Sequence, residues 1–173
     1  MNRPQIDRLL QAAIGILLIA LVFVIYDGVR EKIIGVGDTA PDFTITADNG
    51  RTISNANFGG KLLVLNFWAT WCPPCVEEMP SLNEFQKTLR DRGVVVLGIS
   101  VDKSEPTYKA FLAKAGVSFQ TARDPEAKIN ADYGTFKYPE TYIIDSKGKV
   151  VRKYIGPENW TDDNMLNDVR SLL

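Results

Sequence analysis

KLLVLNFWATWCPPCVEEMP, Lys61 to Pro80, carries both cysteines of the chain, Cys72 and Cys75, with Pro73 and Pro74 between them. The run Lys61–Ala69 is almost continuously apolar, the pattern of a strand buried on both faces. From Pro73 to about Arg92 the residues read as a helix closed by Gly93, with Pro80 a kink inside it. Working outward, Val94–Val101 is a second buried strand, and Ser104 caps a helix through Lys114 with Gly116 after it. Asp124–Gly134 reads as a short helix. Glu140–Asp145 and Val150–Gly156 flank the turn Ser146-Lys147-Gly148 as a hairpin, and Thr161 caps a last helix to Leu172. Upstream, Gly37–Ser54 alternates apolar and polar around Asp48-Asn49-Gly50, a second hairpin signal. Strands that alternate with helices pair in parallel through right-handed crossovers, and the late hairpin adds antiparallel strands. The expectation is an α/β fold with a central mixed sheet flanked by helices and an N-terminal β-hairpin extension.

The chain has 173 residues, 45% hydrophobic and 24% charged, with net charge -1. That balance suits one globular domain, and no basic cluster points to nucleic acid. Histidine is absent, which removes the usual general base and the commonest metal and haem ligand together. Leu9 to Tyr26 differs from everything after it: Gln11 is its one clearly polar residue. As a helix this run would be roughly 27 Å long, close to a bilayer's hydrocarbon core. Arg3 and Arg8 precede it; Asp27, Arg30, Glu31 and Lys32 follow. The bias puts the N-terminus inside and the domain across the cytoplasmic membrane. A cleaved signal peptide is the rival, but signal cores are shorter and no small-x-small site follows Tyr26. The resulting division is an anchor over 1–27, a linker over 28–36 and a domain over 37–173.

Two cysteines and no histidine make a poor zinc site, which wants four such ligands. A disulfide across two residues closes so small a loop that it constrains the unfolded chain little. Inert core thiols would have no reason to sit together at a strand-to-helix junction. The remaining reading is a reversible redox pair, for which Cys-x-x-Cys beside a βαβ pattern is the sequence sign. Cys72 falls at the helix N-cap, where free N–H groups and the helix dipole favour a thiolate, so it reads as the exposed nucleophile. Cys75, one turn in, reads as the resolving thiol. Pro73 and Pro74 have no N–H to give. Cys75 N–H is then the nearest local donor, the thiolate is weakly held, and the couple leans towards giving electrons away. Resolution requires Cys75 to lose a proton, and Glu78 stands on the same helix face three residues on. Glu77 reads as a carboxylate complementing the dipole.

The pattern now resembles a known family. VGDTAPDFTI, GGKLLVLNFWATWCPPCVEEMPSL, VVVLGISVD and YGTFKYPETYIIDSKGKV occur in the order seen in the membrane-anchored ResA/TlpA/CcmG group of thiol-disulfide oxidoreductases, within the thioredoxin superfamily. The resemblance covers about Gly37 to the C-terminus and implies a thioredoxin-like fold. It implies a cis-proline facing the dithiol, at Pro139, leaving the Tyr138 backbone free to pair with an extended substrate. It implies an acid after the second cysteine, Glu78, and the PET sequence makes Glu140 a second candidate. Asn66 stands where thioredoxins carry a buried aspartate. Thr135-Phe136-Lys137-Tyr138 departs from the small, often glycine-containing approach of the family. The resemblance further implies a disulfide-containing protein substrate outside the membrane, including the Cys-x-x-Cys-His pair of apocytochrome c, and electrons from a membrane thiol reductase of the CcdA or DsbD kind. No metal or cofactor is expected. Substrate contacts fall to Trp71, Pro73, Pro74, Tyr138, Pro139 and Glu140; Trp68 and Trp160 read as packing.

Three other classes stay in view. A peroxiredoxin shares the fold and the DTAPDF opening, but the pattern Pro-x-x-x-Thr-x-x-Cys would need threonine where Ala69 stands. A disulfide-forming oxidase would need a strongly held Cys72 thiolate. A non-catalytic, membrane-tethered binding module would not need Cys72 at all.

Overall fold

The computed structural model describes the backbone of residues 3–29 and 33–173, and within the first stretch the side chains of Gln5 and residues 11–25. The chain falls into two compact units, 1–32 and 33–173. The first holds one helix, α1 (Arg3–Val29), whose Ile, Leu, Val and Phe side chains between Ile16 and Ile25 are exposed. Among the described residues, no helix is long and apolar enough to cross a membrane. Arg30, Glu31 and Lys32, and the side chains of Arg3, Arg8, Leu9, Leu10, Tyr26 and Asp27, which enter the anchor reading, lie outside the described residues.

The second unit is built on a five-stranded sheet. Its strands are β3 (Leu62–Trp68), β4 (Val94–Ser100), β5 (Gln120–Arg123), β6 (Glu140–Asp145) and β7 (Val150–Ile155), in the order β5-β4-β3-β6-β7. β3 pairs parallel with β4, and β4 with β5. β6 runs antiparallel to both β3 and β7, so the sheet is mixed as expected. Every residue of β3 is buried, which is why its apolar run shows no alternation. A separate hairpin of β1 (Thr44–Thr46) and β2 (Thr52–Ser54) turns at Asp48–Gly50.

The helices are α2 (Pro73–Leu89), α3 (Glu105–Ala115), α4 (Lys128–Asp132) and α5 (Asp163–Arg170). Leu82, Phe85 and Leu89 of α2, with Val169 of α5 and Trp160 ahead of it, pack on the sheet face formed by Leu62, Val64 and Ile143. The other face carries Leu63, Leu65, Phe67, Tyr142 and Ile144, under the hairpin residues Phe43, Ile53 and Phe58. Alternate residues of one strand thus serve two cores.

The departures from expectation are local. β5 was not anticipated: its sequence, Gln-Thr-Ala-Arg, carries no apolar run, because it is an edge strand paired on one side to β4. α2 ends at Leu89, and a 3-10 turn, Arg90–Arg92, leads to Gly93 at φ 94. α4 has five residues, its start held by Asp124, which accepts from the N–H groups of Lys128, Ile129 and Asn130. The last helix is capped by Asp162, accepting from Asn164 N–H, while the Thr161 hydroxyl donates to Asn159. Ile34, expected in a linker, is fully buried in the core and donates its N–H to the Tyr133 carbonyl. It lies within the compact unit that runs from Ile33 to Leu173.

Candidate active site

The site forms where β3 runs out. Val101 N–H donates to the Trp68 carbonyl, and the turn that follows is tied down by Asp102, a buried carboxylate. Thr70 donates to it with both its N–H (2.9 Å) and its hydroxyl (2.6 Å), and Ser100 adds its hydroxyl at 2.6 Å. None of these contacts was foreseen. Their single sign in the sequence is the polar SVD at the end of an apolar strand.

This turn delivers Cys72 to the N-cap of α2 in extended backbone geometry, φ -99 and ψ 101. Pro73 and Pro74 occupy the first helical turn. Cys75 N–H donates to Cys72 Sγ at 3.3 Å, the local donation expected once the prolines contribute none. Cys72 and Cys75 form a disulfide, with Cα atoms 5.3 Å apart. The sequence reading makes Cys72 the exposed thiol and Cys75 the more covered one. Cys72 is 5% and Cys75 1% exposed, so Cys72 is the less covered of the two but not open to solvent. Its cover is an apolar cluster of Trp68, Ala69, Met79, Val101 and Tyr108, which packs around the pair.

One turn along α2, Glu78 is buried while Glu77 is exposed. The Glu78 carboxylate meets donors from three places. Asn66 of β3 gives its amide to Oε1 at 2.8 Å. Glu158 N–H reaches Oε2 at 3.1 Å and the Trp160 indole N–H reaches the same oxygen at 3.3 Å. Asn66 also donates to the Thr141 hydroxyl at 2.9 Å, which links β3, β6 and α2 at one point. Burial pushes the Glu78 carboxyl up to about 7; the three donors and the nearby Glu158 charge change that by less. A carboxyl poised near neutrality one helical turn from a thiol that must lose a proton is suited to take that proton.

Glu140 stands elsewhere. In the register, Asn66 faces Thr141 and Phe67 faces Glu140, so Glu140 shares the face of Phe67 and Tyr142, not that of Glu78. There it is fully buried, bound to Lys153 Nζ at 2.8 Å and taking the Tyr142 hydroxyl on the same oxygen at 2.5 Å. Lys153 in turn donates to the Ile34 carbonyl. The sequence placed the two glutamates as alternatives; the structure puts the sheet between them.

The Tyr138–Pro139 peptide is cis, and Pro139 is buried at the start of β6. The Tyr138 ring sits edge-on to Trp71, with centroids 5.8 Å apart, and packs against the cluster around the cysteines. Trp71 is 63% exposed, so the Trp71–Tyr138 pair gives the site an aromatic rim. A cleft of about 570 Å³, lined by Trp71, Tyr138, Lys103, Glu126 and Ala127, opens beside it. Among the described residues, no cluster of three or more His, Cys, Asp or Glu side chains could hold a metal ion.

Residues 36–153 match the AhpC/TSA family. A Bacillus thuringiensis protein named thiol-disulfide oxidoreductase ResA is 36% identical over 157 residues, covering 88% of this chain and 90% of its own. The thioredoxin-like protein YneN of Bacillus subtilis is 39% identical over 150 residues, covering 82% of this chain and 88% of its own. Among solved structures, a Chlorobium tepidum protein named as a thiol:disulfide interchange protein, DsbE, superposes with a TM-score of 0.74. It is 27% identical and covers 80% of this chain and 98% of its own. The thioredoxin-like architecture is common to this chain and these structures.

Proposed function

The chain belongs to the AhpC/TSA family, and on that premise we propose that it is a thiol-disulfide oxidoreductase that reduces disulfides of partner proteins through Cys72 and Cys75. The observation that carries this reading is the Cys72–Cys75 pair at the start of α2, with Glu78 buried one turn away. Cys72 thiolate attacks a partner disulfide; one partner sulfur leaves, and the other is held as a mixed disulfide. Cys75 gives its proton to Glu78 and attacks Cys72. The second partner sulfur leaves, the partner has gained two electrons, and the protein is left oxidised.

The direction of electron transfer follows from the helix start. Pro73 and Pro74 offer no N–H, so the Cys72 thiolate is held locally by Cys75 N–H, and the reduced form is not strongly favoured. The aromatic rim of exposed Trp71 and half-buried Tyr138 suits an extended polypeptide rather than a small molecule. Ala69, where threonine would be needed, weighs against peroxide chemistry.

The apolar run Leu9–Tyr26 with Arg3 and Arg8 ahead of it supports a single membrane anchor, with the dithiol on the extracytoplasmic side. On that placement the substrates include the Cys-x-x-Cys-His disulfide of apocytochrome c, and a membrane thiol reductase of the CcdA or DsbD kind returns electrons. Equilibrating the protein in thiol/disulfide buffers and trapping free thiols by alkylation tests the central claim. A potential near or below roughly −230 mV makes it a reductant, whereas a value near about −120 mV makes it a disulfide donor and overturns the reading.

A further inference from the structure

The loop ahead of α5 does more than cover α2. It comes from 80 residues beyond Glu78 in sequence and closes on that side chain alone among the acids of α2. Its two N–H groups, from the Glu158 backbone and the Trp160 indole, both end on Oε2. Among the described residues, Oε1 takes one donor, Asn66, whose other amide hydrogen is committed to Thr141. A carboxylate oxygen has two lone pairs. Those of Oε2 are both engaged by groups that can only donate, whereas Oε1 takes one such donor among the described residues. The loop is itself pinned to α2: Ser81 donates to the Glu78 carbonyl at 2.8 Å and accepts from Trp160 N–H at 3.2 Å. Trp160 is fully buried, wedged edge-on against Phe85 and Tyr154.

From this we propose that Trp160 and the Glu158 backbone are positioning residues for proton transfer: they saturate Oε2, so that Oε1 receives the proton of Cys75 during resolution. The inference rests on the reading of Glu78 as proton acceptor. In the step, the S–H bond of Cys75 breaks and its proton forms an O–H bond at Glu78 Oε1. The sulfur pair forms the Cys72–Cys75 bond, and the partner sulfur leaves Cys72 with the electrons of the broken bond. Nothing is needed beyond the mixed disulfide.

The surroundings fix the sign of each perturbation. β3 and β6 present neutral groups, Asn66 and Thr141. β7 presents Tyr154, whose hydroxyl is given to Asp168 of α5. Lys153 of β7 is bound to Glu140 on the other face. The charge that bears on Glu78 is Glu158, which raises its proton affinity, whereas the Trp160 donor lowers it. Removing the indole N–H must therefore raise the affinity and removing the Glu158 charge must lower it. A residue that merely filled space would give no such opposition.

The test is stopped-flow reaction of the reduced full-length chain, in detergent micelles, with dithiobis(nitrobenzoate). Release of the second thionitrobenzoate reports resolution, and its rate is followed against pH. Trp160→Phe should move the midpoint up by about one pH unit. Glu158→Gln should move it down by about half a unit. Ser81→Ala, which unpins the loop with little change in packing, should move it up. Should Trp160→Phe fail to fold, the Ser81 and Glu158 variants decide. If Glu78→Gln removes the pH limb while none of these variants shifts it, the role given to the loop is wrong and Glu78 keeps its own. If Glu78→Gln leaves the limb in place, the reading of Glu78 is wrong and this inference goes with it.

Discussion

Glu78 and Glu140 are both buried, and both belong to the neighbourhood of one sheet. On the α2 face, Glu78 meets three neutral donors and, among the described residues, no cation. On the opposite face, Glu140 meets an ammonium and a phenol. The first arrangement leaves the proton exchangeable near neutrality. The second pairs the carboxylate with a cation. Burial alone does not make a buried acid useful for chemistry; what counts is whether its compensation comes from dipoles or from an opposite charge.

The contrast can be broken most severely at Lys153. Lys153→Met leaves the Glu140 carboxylate buried without its cation. The expected loss is about 3 to 5 kcal/mol in denaturant unfolding, most of it regained in the Lys153→Met/Glu140→Gln double variant. If the single variant were as stable as the parent, Glu140 would not be the cation-paired carboxylate described here.

The next effect is the pH dependence of stability at Glu78. Its folded value, about 7, lies above the ordinary 4.5. Between these values the fold keeps a proton that the unfolded chain has released. The stabilisation is therefore complete below about 4.5 and lost as pH rises to 7, a change on the order of 3 kcal/mol at most. Unfolding curves of Glu78→Gln should lack this slope, and those of Glu140→Gln should retain it.

In catalysis, Glu78→Gln should slow resolution by about 100-fold at pH 7, and Glu140→Gln should leave the shape of the pH profile unchanged. Equal profiles for the two variants would erase the distinction between the faces. The smallest effect is expected at Thr141→Val, which removes the hydrogen bond that orients Asn66 and should cost about 1 kcal/mol.

Much of this was legible in the sequence because the informative signals are local. The apolar run of β3, the cysteines at the helix start, the acidic pair after them and the Asp48–Gly50 turn lie within windows that periodicity and capping rules read well. The side of the sheet taken by Glu140 was not legible. Adjacency to Pro139 suggested the site, but strand parity, fixed only by the pairing with β3, turns it away. Trp160 gave no sign of its role, since it meets Glu78 only through tertiary folding. β5 escaped because an edge strand of four mixed residues carries no periodic signal.

The placement of the tryptophans gives the molecule built-in optics. Trp68 and Trp160 are sealed in the cores, whereas Trp71 stands mostly in solvent at the rim of the dithiol. An aqueous quencher such as iodide should reach Trp71 and spare the other two. A polypeptide laid across the site would shield that one emitter. Partner engagement can thus be followed as a loss of quenching, in unlabelled protein, separately from any change in the oxidation state of the sulfurs.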